Sequence, residues 1–494
     1  MIMKKQAFNP FLPLDEYIPD GEPHIFGDRV YLYGSHDQEG GETFCMGDYT
    51  VYSAPVDDLS DWRCEGVIYS ASQDPDSAGR PYMYAPDVVQ GNDGRYYLYY
   101  CMSGERGFGG YFGPISVAVC DTPAGKYEYL GYVRYPDGKP MKKYVCFDPC
   151  AFNDGGTIRI YYGTQYMNES NEILAADSRK LADVQKRYNK TAEEILGTPD
   201  NVNGACMVVL EDDMLTVRED AKHIIPYEAD FGGHEFFEAS SMRKVGEKYY
   251  FVFSSQKNHE LCYAISDYPD RDFTFGGTIV SNGDVGINGI SDENRMNMTG
   301  TTHGSIIEIS GQWYVFYHRL THKSDYSRQA CAERISISDD GTITQVKITS
   351  CGLNGAPLTG MGRYPAPIAC CITNGRMPHG SNSIYTESFP NVTHSGNERY
   401  IGEVCNNTLI GFRYFEFSGT DRLSVTVRGK GGGTIGVYTE IGGDCLGEIS
   451  VLPCEKWTEI SSAVNFPCGV YPLYLVYHGT GKIDVLDIAF PQNG

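Results

Sequence analysis

The stretch MYAPDVVQGNDGRYYLYYC, residues 83–101, contains the pattern that decides the fold. An acid, Asp87, lies near the start of an apolar run, and seven residues later Gly94 marks a turn into a tyrosine-rich run. Apolar and aromatic runs of this length are typical of β-strands, and a Gly turn between two of them is typical of a hairpin. The stretch therefore predicts a β-hairpin with a carboxylate on its first strand.

The same hairpin pattern recurs along the chain. A turn glycine followed by β-branched or aromatic residues is found at five positions: Gly27, Gly94, Gly155, Gly246 and Gly311. Successive glycines are 67, 61, 91 and 65 residues apart. Each step can hold about four short strands, which is the content of one propeller blade. The sequence therefore predicts an all-β protein in which residues 1–350 form a five-bladed β-propeller.

Three segments depart from this repeat. The longest step contains residues 178–197, a polar, helix-like insert that we expect to lie on a loop. Residues 351–367 are rich in Gly and Pro, which is typical of a linker. Short alternating runs such as LIGFRYFEF follow, so we predict a β-sandwich of the jelly-roll kind over residues 368–494.

The composition excludes several classes of partner. A net charge of −24 disfavours nucleic acid and anionic membranes. The sequence contains no apolar run long enough for a transmembrane helix. The start, MIMKKQAFNPFLPLDEY, has no apolar secretory segment, and the 16 cysteines are scattered without a zinc pattern. We therefore expect a cytoplasmic protein with free thiols.

An ionisable residue lies seven or eight residues before every turn glycine. These residues are Asp20, Asp87, Asp148, Glu238 and His303. The first strand of each propeller blade lines the central channel, so we expect the five side chains to converge at one mouth. Crowded carboxylates have pKa values that spread apart, which lets one remain protonated while another is ionised. One such Asp is more simply a turn residue, but five in matched positions favour a functional site.

These motifs resemble those of the glycoside hydrolase family 43 enzymes, and the resemblance covers the whole propeller. It implies that Asp20 is the general base, that Asp148 in FDP orients and tunes the acid, and that Glu238 is the general acid. Asp87 in YAPD resembles the family's WAPD motif near the substrate, with Tyr84 in place of the tryptophan. The resemblance therefore implies that Asp87 and Tyr84 bind the substrate.

The resemblance also implies groups around the acids. Arg328 in SRQACAERI resembles an arginine that lies over the site, where it binds sugar hydroxyls or keeps a carboxylate ionised. His303 in THGS resembles the histidine beside a central metal, often calcium. Glu235 lies three residues before Glu238 and competes for the role of acid, but the matched position favours Glu238.

The mechanism implied by the resemblance is inverting. Ionised Asp20 takes a proton from water while protonated Glu238 gives one to the leaving oxygen, with their carboxyl groups about 6.5–9.5 Å apart. We expect the charge of Asp148 to raise the pKa of Glu238. The implied activity is that of an α-L-arabinofuranosidase on arabinoxylan-derived or xylo-oligosaccharides. An exo-β-1,4-xylosidase, or an enzyme with both activities, is the alternative.

The C-terminal segment resembles carbohydrate-binding modules of family 6, less specifically. Its aromatic residues, Trp457 among them, are either core or sugar platform, and the sequence leaves that choice open. A non-catalytic glycan-binding propeller is an alternative of another class, but it needs no acid and base. A retaining fructan enzyme would place NDPN where this chain has PDGE. No G-x-G-x-x-G follows a strand into a helix, so no organic cofactor is expected.

Overall fold

The computed structural model describes residues 5–104, 107, 109, 111, 113–165, 171–197, 202–226, 228–380 and 383–491. The fold is all-β, and the α-helices of the described residues are confined to one short insert. None of these helices has the length and apolar character needed to cross a bilayer. All 16 cysteines lie within the described residues and are free thiols.

The first two thirds of the chain form five successive antiparallel sheets. The first two sheets contain β1 (Glu22–Phe26), β2 (Arg29–Tyr33), β3 (Tyr49–Pro55), β4 (Arg63–Tyr69), β5 (Met83–Gln90), β6 (Tyr96–Met102), β7 (Ser116–Cys120) and β8 (Glu128–Tyr132). The third and fourth contain β9 (Cys150–Asp154), β10 (Thr157–Thr164), β11 (Gly204–Leu210), β12 (Val217–Pro226), β13 (Phe236–Val245), β14 (Lys248–Ser255), β15 (Glu260–Ser266) and β16 (Thr274–Ser281). The fifth contains three strands, β17 (Ser305–Ile309), β18 (Gln312–Leu320) and β19 (Arg328–Ile335).

The first strands of these sheets contact one another in a closed cycle. Strand β1 contacts β5, β5 contacts β9, β9 contacts β13, β13 contacts β17, and β17 returns to β1. Each sheet therefore faces the next through its innermost strand, which is the arrangement of a β-propeller. The fold places the N-terminal ends of five first strands around one axis.

The turn glycines close the first hairpins as the sequence predicts. All five have positive φ, between 58° and 84°, a region that side chains with a Cβ rarely adopt. In four hairpins the turn is two residues long, for example between Phe26 and Arg29. The second hairpin differs, because its ladder ends at Gly91, which donates to the Arg95 carbonyl.

The insert in the third sheet is helical, which confirms the prediction. It contains α1 (Asn171–Ala176), α2 (Ser178–Tyr188) and α3 (Ala192–Leu196), between β10 and β11. Asp177 caps α2 by accepting from the backbone of Arg179, and Thr191 caps α3. Tyr188 and neighbouring apolar residues of the helices pack against Phe147 and Tyr84, so the insert forms part of the wall of the propeller mouth.

The remaining strands form two six-stranded sheets, which we call the C-terminal domain (residues 358–490). They are β20 (Leu358–Thr359), β21 (Gly362–Pro365), β22 (Cys371–Thr373), β23 (Asn391–Ser395), β24 (Glu398–Val404), β25 (Leu409–Phe417), β26 (Arg422–Gly429), β27 (Gly432–Tyr438), β28 (Gly447–Val451), β29 (Cys454–Ala463), β30 (Gly469–Thr480) and β31 (Ile483–Phe490). One sheet runs β20-β25-β30-β27-β28 with β22 paired to β25. The other runs β23-β24-β31-β26-β29 with β21 paired to β31.

The structure corrects the prediction that residues 351–367 form a linker. Residues 351–367 contain β20 and β21, which pair with β25 and β31 and so belong to the two C-terminal sheets. Their Gly and Pro residues end these strands quickly, which explains why composition alone suggested a linker. The sheets share one apolar core that includes Phe415, whereas Trp457 lies outside it and donates through Nε1 to Glu398.

Candidate active site

A cavity of about 350 Å³ opens where the five first strands begin. Six of the seven predicted site residues line it: Asp20, Tyr84, Asp148, Glu238, His303 and Arg328. Asp87 lies outside this lining. Residues separated by more than 300 positions along the chain, such as Asp20 and Arg328, thus face one space.

Asp20 is fixed by a cation and by its own backbone. Arg328 Nη1 donates to Asp20 Oδ1 at 2.8 Å, and the Asp20 N–H donates to His318 Nδ1 at 3.2 Å. Burial alone would raise the pKa of Asp20, but the positive charge of Arg328 holds it below its usual value. Asp20 is therefore the ionised carboxylate of the cavity.

His318 is a neutral partner of Asp20 that the sequence did not predict. Its Nε2 contacts the Thr301 carbonyl at 2.9 Å, which requires an N–H there and leaves Nδ1 to accept from Asp20. Burial and the charge of Arg328 lower the pKa of His318 to about 3. Position 318 lies in mid-strand β18, in the run WYVFYHR, where a buried core histidine is the simpler interpretation.

Asp37 is a second residue that the sequence reading missed. Arg328 Nε and Nη2 donate to the two oxygens of Asp37 at 2.8 and 2.9 Å. This bidentate pair fixes the guanidinium plane, so that Nη1 points at Asp20. Asp37 lies in the loop between β2 and β3, and no periodic pattern in the sequence marks it.

The pKa of Glu238 is shifted in the opposite direction from that of Asp20. Burial, then the negative charge of Asp20, raises the pKa of Glu238 to about 8. No described residue hydrogen-bonds to its side chain, which faces the cavity. The pairing of β13 with β14 is irregular on both sides of Glu238, and such bulges re-aim a side chain. The raised pKa of Glu238 therefore favours the protonated form near neutral pH.

Asp148 lies next to this acid. Its Oδ2 accepts from the backbone N–H of Ala239 at 3.2 Å, the residue after Glu238. Burial, then the charges of Glu238 and Asp20, raises the pKa of Asp148 well above its usual value. Burial and the charge of Asp20, rather than the predicted charge of Asp148, are the main causes that raise the pKa of Glu238. Both carboxyls of this pair are shifted toward the protonated form.

The competing acid, Glu235, has another partner. Glu235 Oε1 accepts from the backbone N–H of Gly233 at 2.9 Å, and its side chain is outside the cavity lining.

Tyr84 lines the cavity, and its hydroxyl donates to the Gly107 carbonyl at 2.7 Å. The hydroxyl oxygen of Tyr84 still has a lone pair for a ligand.

The ladder positions explain why Asp87 differs from the other acids. Counting six residues back from the last ladder pair of each first hairpin gives Asp20, Ala85, Asp148, Ala239 and His303, which we call the mouth ring. The first four have positive φ, between 36° and 69°. This backbone costs about 1–3 kcal/mol at residues other than glycine and is found often at active sites.

Asp87 lies deeper in the central channel than the mouth ring. Two residues beyond the mouth ring lie Glu22, Asp87, Cys150, Ser241 and Ser305, which we call the second ring. The turn of the second hairpin is longer, so Gly94 lies three residues past the last ladder position, Gly91. Counting seven residues back from Gly94 therefore gives Asp87, a residue of the second ring, instead of a residue of the mouth ring. Asp87 Oδ1 lies 2.6 Å from His24 Nε2, and Oδ2 accepts from Ala151 N–H. The predicted contact of Asp87 with substrate is therefore corrected to a support inside the channel.

The second ring also offers a place for a cation. Glu22 Oε1 is buried without a hydrogen-bond partner among the described residues, and it faces His303 Nε2 at 3.9 Å. The orphaned carboxylate oxygen of Glu22 is the type of ligand that calcium prefers, and the imidazole of His303 lies beside it. Arg243 already donates to the other oxygen, Glu22 Oε2, at 2.6 Å, so part of the negative charge is neutralised by the protein itself.

Comparison with known proteins agrees with this geometry. The model of glycosyl hydrolases family 43 matches residues 9–343. A xylosidase/arabinosidase from Thermoclostridium stercorarium is 44% identical over 97% of this chain and 98% of its own. The solved structure of a family 43 enzyme from Xanthomonas citri, complexed with xylose, is 25% identical with a TM-score of 0.53, covering 69% of this chain and 93% of that one.

A second solved structure points the same way. A β-xylosidase/α-arabinofuranosidase from a compost microbial metagenome, with xylotriose and in calcium-free form, is 26% identical. Its TM-score is 0.52, and the match covers 69% of this chain and 97% of that chain. Because the family model matches most of the chain and the expected acids line one cavity, we conclude that the protein is a glycoside hydrolase and belongs to glycosyl hydrolases family 43.

Proposed function

We propose that this protein is an inverting, exo-acting glycosidase that releases α-L-arabinofuranosyl residues from arabinoxylan-derived oligosaccharides. The observation that supports this most is the contrast between Asp20 and Glu238 in one cavity. Arg328 keeps Asp20 ionised, while burial and Asp20 raise the pKa of Glu238 to about 8. One group is ready to accept a proton and the other to donate one.

The reaction proceeds by a single displacement. Asp20 removes a proton from a water molecule, whose oxygen bonds to the anomeric carbon from the face opposite the leaving group. Glu238 gives its proton to the glycosidic oxygen as the bond to the anomeric carbon breaks. The sugar leaves with inverted configuration, and the two carboxyls exchange protonation states until solvent restores them.

The other cavity residues assist this displacement. Asp148 accepts from the backbone beside Glu238 and orients the acid, and its own raised pKa limits further negative charge near the proton donor. Arg328 holds Asp20, and Tyr84 offers its hydroxyl to the sugar. His303 and Glu22 would hold a calcium ion, which when bound supplies positive charge that offsets the repulsion between the acids.

The choice of sugar has two candidates. The Thermoclostridium stercorarium relative is named for both activities, and the metagenome enzyme is named a β-xylosidase/α-arabinofuranosidase. Those names support an exo-β-1,4-xylosidase, or both activities in one site, as the second candidate. A cavity of about 350 Å³ suits the end of a short oligosaccharide better than the middle of a chain.

The proposal includes the architecture and location. The closed cycle of five sheets supports a five-bladed propeller over residues 1–350 as the catalytic domain. The two six-stranded sheets with a shared core support a jelly-roll sandwich of the kind found in carbohydrate-binding modules of family 6. We propose that the protein works in the cytoplasm on imported oligosaccharides.

Product analysis tests the proposal. The enzyme is incubated with arabinoxylan oligosaccharides and with p-nitrophenyl α-L-arabinofuranoside and β-D-xylopyranoside, and the free sugar is identified. Proton NMR during the first turnovers gives the anomer, and we expect β-arabinofuranose from the α-arabinofuranoside. Free xylose as the main product would select the second candidate, and an anomer of retained configuration would contradict the mechanism.

A further inference from the structure

The C-terminal domain contacts the loop that forms one wall of the cavity. This loop, residues 34–48 between β2 and β3, we call the Glu39 loop. Glu39 Oε1 lies 2.6 Å from Nδ1 of His394, and Glu39 Oε2 lies 3.3 Å from Nη2 of Arg399. His394 belongs to β23 and Arg399 to β24, so one hairpin of the C-terminal domain contacts the carboxylate through two side chains.

The same carboxylate is also contacted from the propeller. His322 Nε2 lies 3.3 Å from Glu39 Oε1, and the hydroxyl of Tyr17 lies 3.2 Å from His322 Nε2. Arg399 is further fixed because its Nε donates to the Leu14 carbonyl at 3.1 Å. Glu39 is therefore a point where the fifth sheet, the N-terminal segment and the C-terminal domain meet.

The Glu39 loop also carries Asp37, which fixes the arginine that holds Asp20. Asp37, two positions before Glu39, accepts from Arg328 Nε and Nη2 and from the backbone N–H of Cys45. Arg328 in turn donates to Asp20 at 2.8 Å. Phe44, in the same loop, lines the cavity and lies under the Arg328 guanidinium at 4.6 Å.

We propose that the C-terminal domain is a positioning partner of the active site, in which His394 and Arg399 hold the Glu39 loop so that Asp37 and Arg328 orient Asp20. The inference rests on the proposed role of Asp20 as the base. The ion pairs form a physical path from the C-terminal domain to Asp20. Arg399 contacts Glu39. The backbone then leads two positions back to Asp37, which pairs with Arg328, and Arg328 donates to Asp20. Small displacements of a reacting group lower the rate steeply, so loosening this loop lowers kcat.

The test substitutes Arg399 and compares it with a matched arginine. Arg399→Gln removes one contact with Glu39, while Arg363→Gln removes an arginine of the same domain that pairs with Glu459 and Asp487. On an aryl glycoside that the wild type cleaves, we expect Arg399→Gln to lower kcat about tenfold with KM changed less than about twofold. Arg363→Gln retains the wild-type kcat, and Arg399→Lys restores most of the loss.

A double-mutant cycle tests the path itself. Glu39→Gln and Arg399→Gln each lower kcat, and because they act through one contact, the double variant loses no more than the stronger single variant. Losses that multiply, or a wild-type kcat for Arg399→Gln, would overturn the inference. If Arg399→Gln does not fold, His394→Gln at a more exposed position provides the same measurement.

The two proposals fail in different ways. A wild-type enzyme that cleaves none of the aryl pentosides contradicts the proposed function. An active wild type whose kcat is unchanged by Arg399→Gln and His394→Gln contradicts only the positioning role of the C-terminal domain.

Discussion

Two buried glutamates, Glu238 at the mouth of the channel and Glu333 in β19, show what distinguishes a proton donor from a structural acid. Burial is the first cause that raises the pKa of both, to about 8 in each case. Glu333 accepts from the backbone and hydroxyl of Thr349, each at 2.6 Å, from Asn9 at 2.9 Å and from Tyr317 at 3.1 Å. The side chain of Glu238 has no hydrogen-bonding partner among the described residues and faces the cavity.

The difference shows that a raised pKa does not by itself identify a catalytic acid. Glu333 is held by these hydrogen bonds and is absent from the lining of the cavity, so it has no substrate to which it could pass a proton. A carboxyl left without donors in an open cavity costs stability but can transfer its proton to a ligand. Substitutions at the two glutamates and at Asp20 therefore separate the catalytic role from the structural one.

The largest effect is expected from removing the base. Asp20→Asn keeps the size of the side chain and the position of Arg328, which still pairs with Asp37, but it cannot accept the proton of the attacking water. We expect kcat/KM to fall about 10⁴-fold on every substrate, whatever its leaving group. Steady-state kinetics on two aryl pentosides measures this, and retention of a tenth of the activity would exclude Asp20 as the base.

The next effect is that of the acid, and it depends on the leaving group. Glu238→Gln cannot donate a proton, so we expect kcat/KM on oligosaccharides to fall about 10³-fold. A 2,4-dinitrophenyl glycoside, whose leaving oxygen needs little help, should lose only about tenfold. Glu333→Gln is the matched control and should stay within about threefold of wild type on both substrates.

If Glu238→Gln loses as much activity on the activated substrate as on oligosaccharides, Glu238 does not act as the proton donor. If Glu333→Gln loses activity as strongly as Glu238→Gln, the contrast between an open and a donor-surrounded carboxyl is wrong.

The pH profile gives a smaller but more specific effect. Glu238 must be protonated, and its pKa is raised to about 8, so kcat/KM should decline about tenfold per pH unit above that value. Asp20 must be ionised, and its pKa is lowered, so the acidic limb should lie below the range of an ordinary carboxyl. The profile on the 2,4-dinitrophenyl substrate should lose its alkaline limb in Glu238→Gln, and a persisting limb would assign it to another group.

The sequence predicts the parts of this site that depend on local patterns. The turn glycines and tyrosine-rich strands recur at short range, so five first hairpins, and the acids on four of them, follow from the printed sequence. The level of an acid along the channel depends on turn length, and the longer turn after Gly91 shifted Asp87 to the second ring.

Contacts between distant segments could not be predicted in this way. Asp37 and Arg328 are separated by 291 positions and meet only because the fifth sheet closes on the first. The contact of Arg399 with Glu39 likewise depends on how the C-terminal domain packs against the propeller. Neither pair leaves a spacing or period in the sequence.

The smallest expected effect concerns stability and has opposite signs at the two glutamates. Glu333→Gln puts an amide NH₂ among donors that need acceptors, which should lower the free energy of unfolding by about 1–3 kcal/mol. Glu238→Gln removes an acid whose folded pKa lies above its unfolded value of 4.5. The wild type therefore loses stability from this group as the pH rises from 4.5 through about 8, and the variant does not.

Thermal unfolding of the wild type and both variants at pH 4 and pH 9 measures this difference. Glu238→Gln should match the wild type at pH 4, below the unfolded pKa of 4.5, and gain relative to it at pH 9, because only the wild-type carboxyl must ionise inside the protein. Glu333→Gln should be less stable than the wild type at pH 4, where the carboxyl is largely protonated in both the folded and the unfolded chain and the hydrogen bonds are the main difference. Equal unfolding midpoints for the two variants at both pH values would mean that the donors around Glu333 contribute nothing.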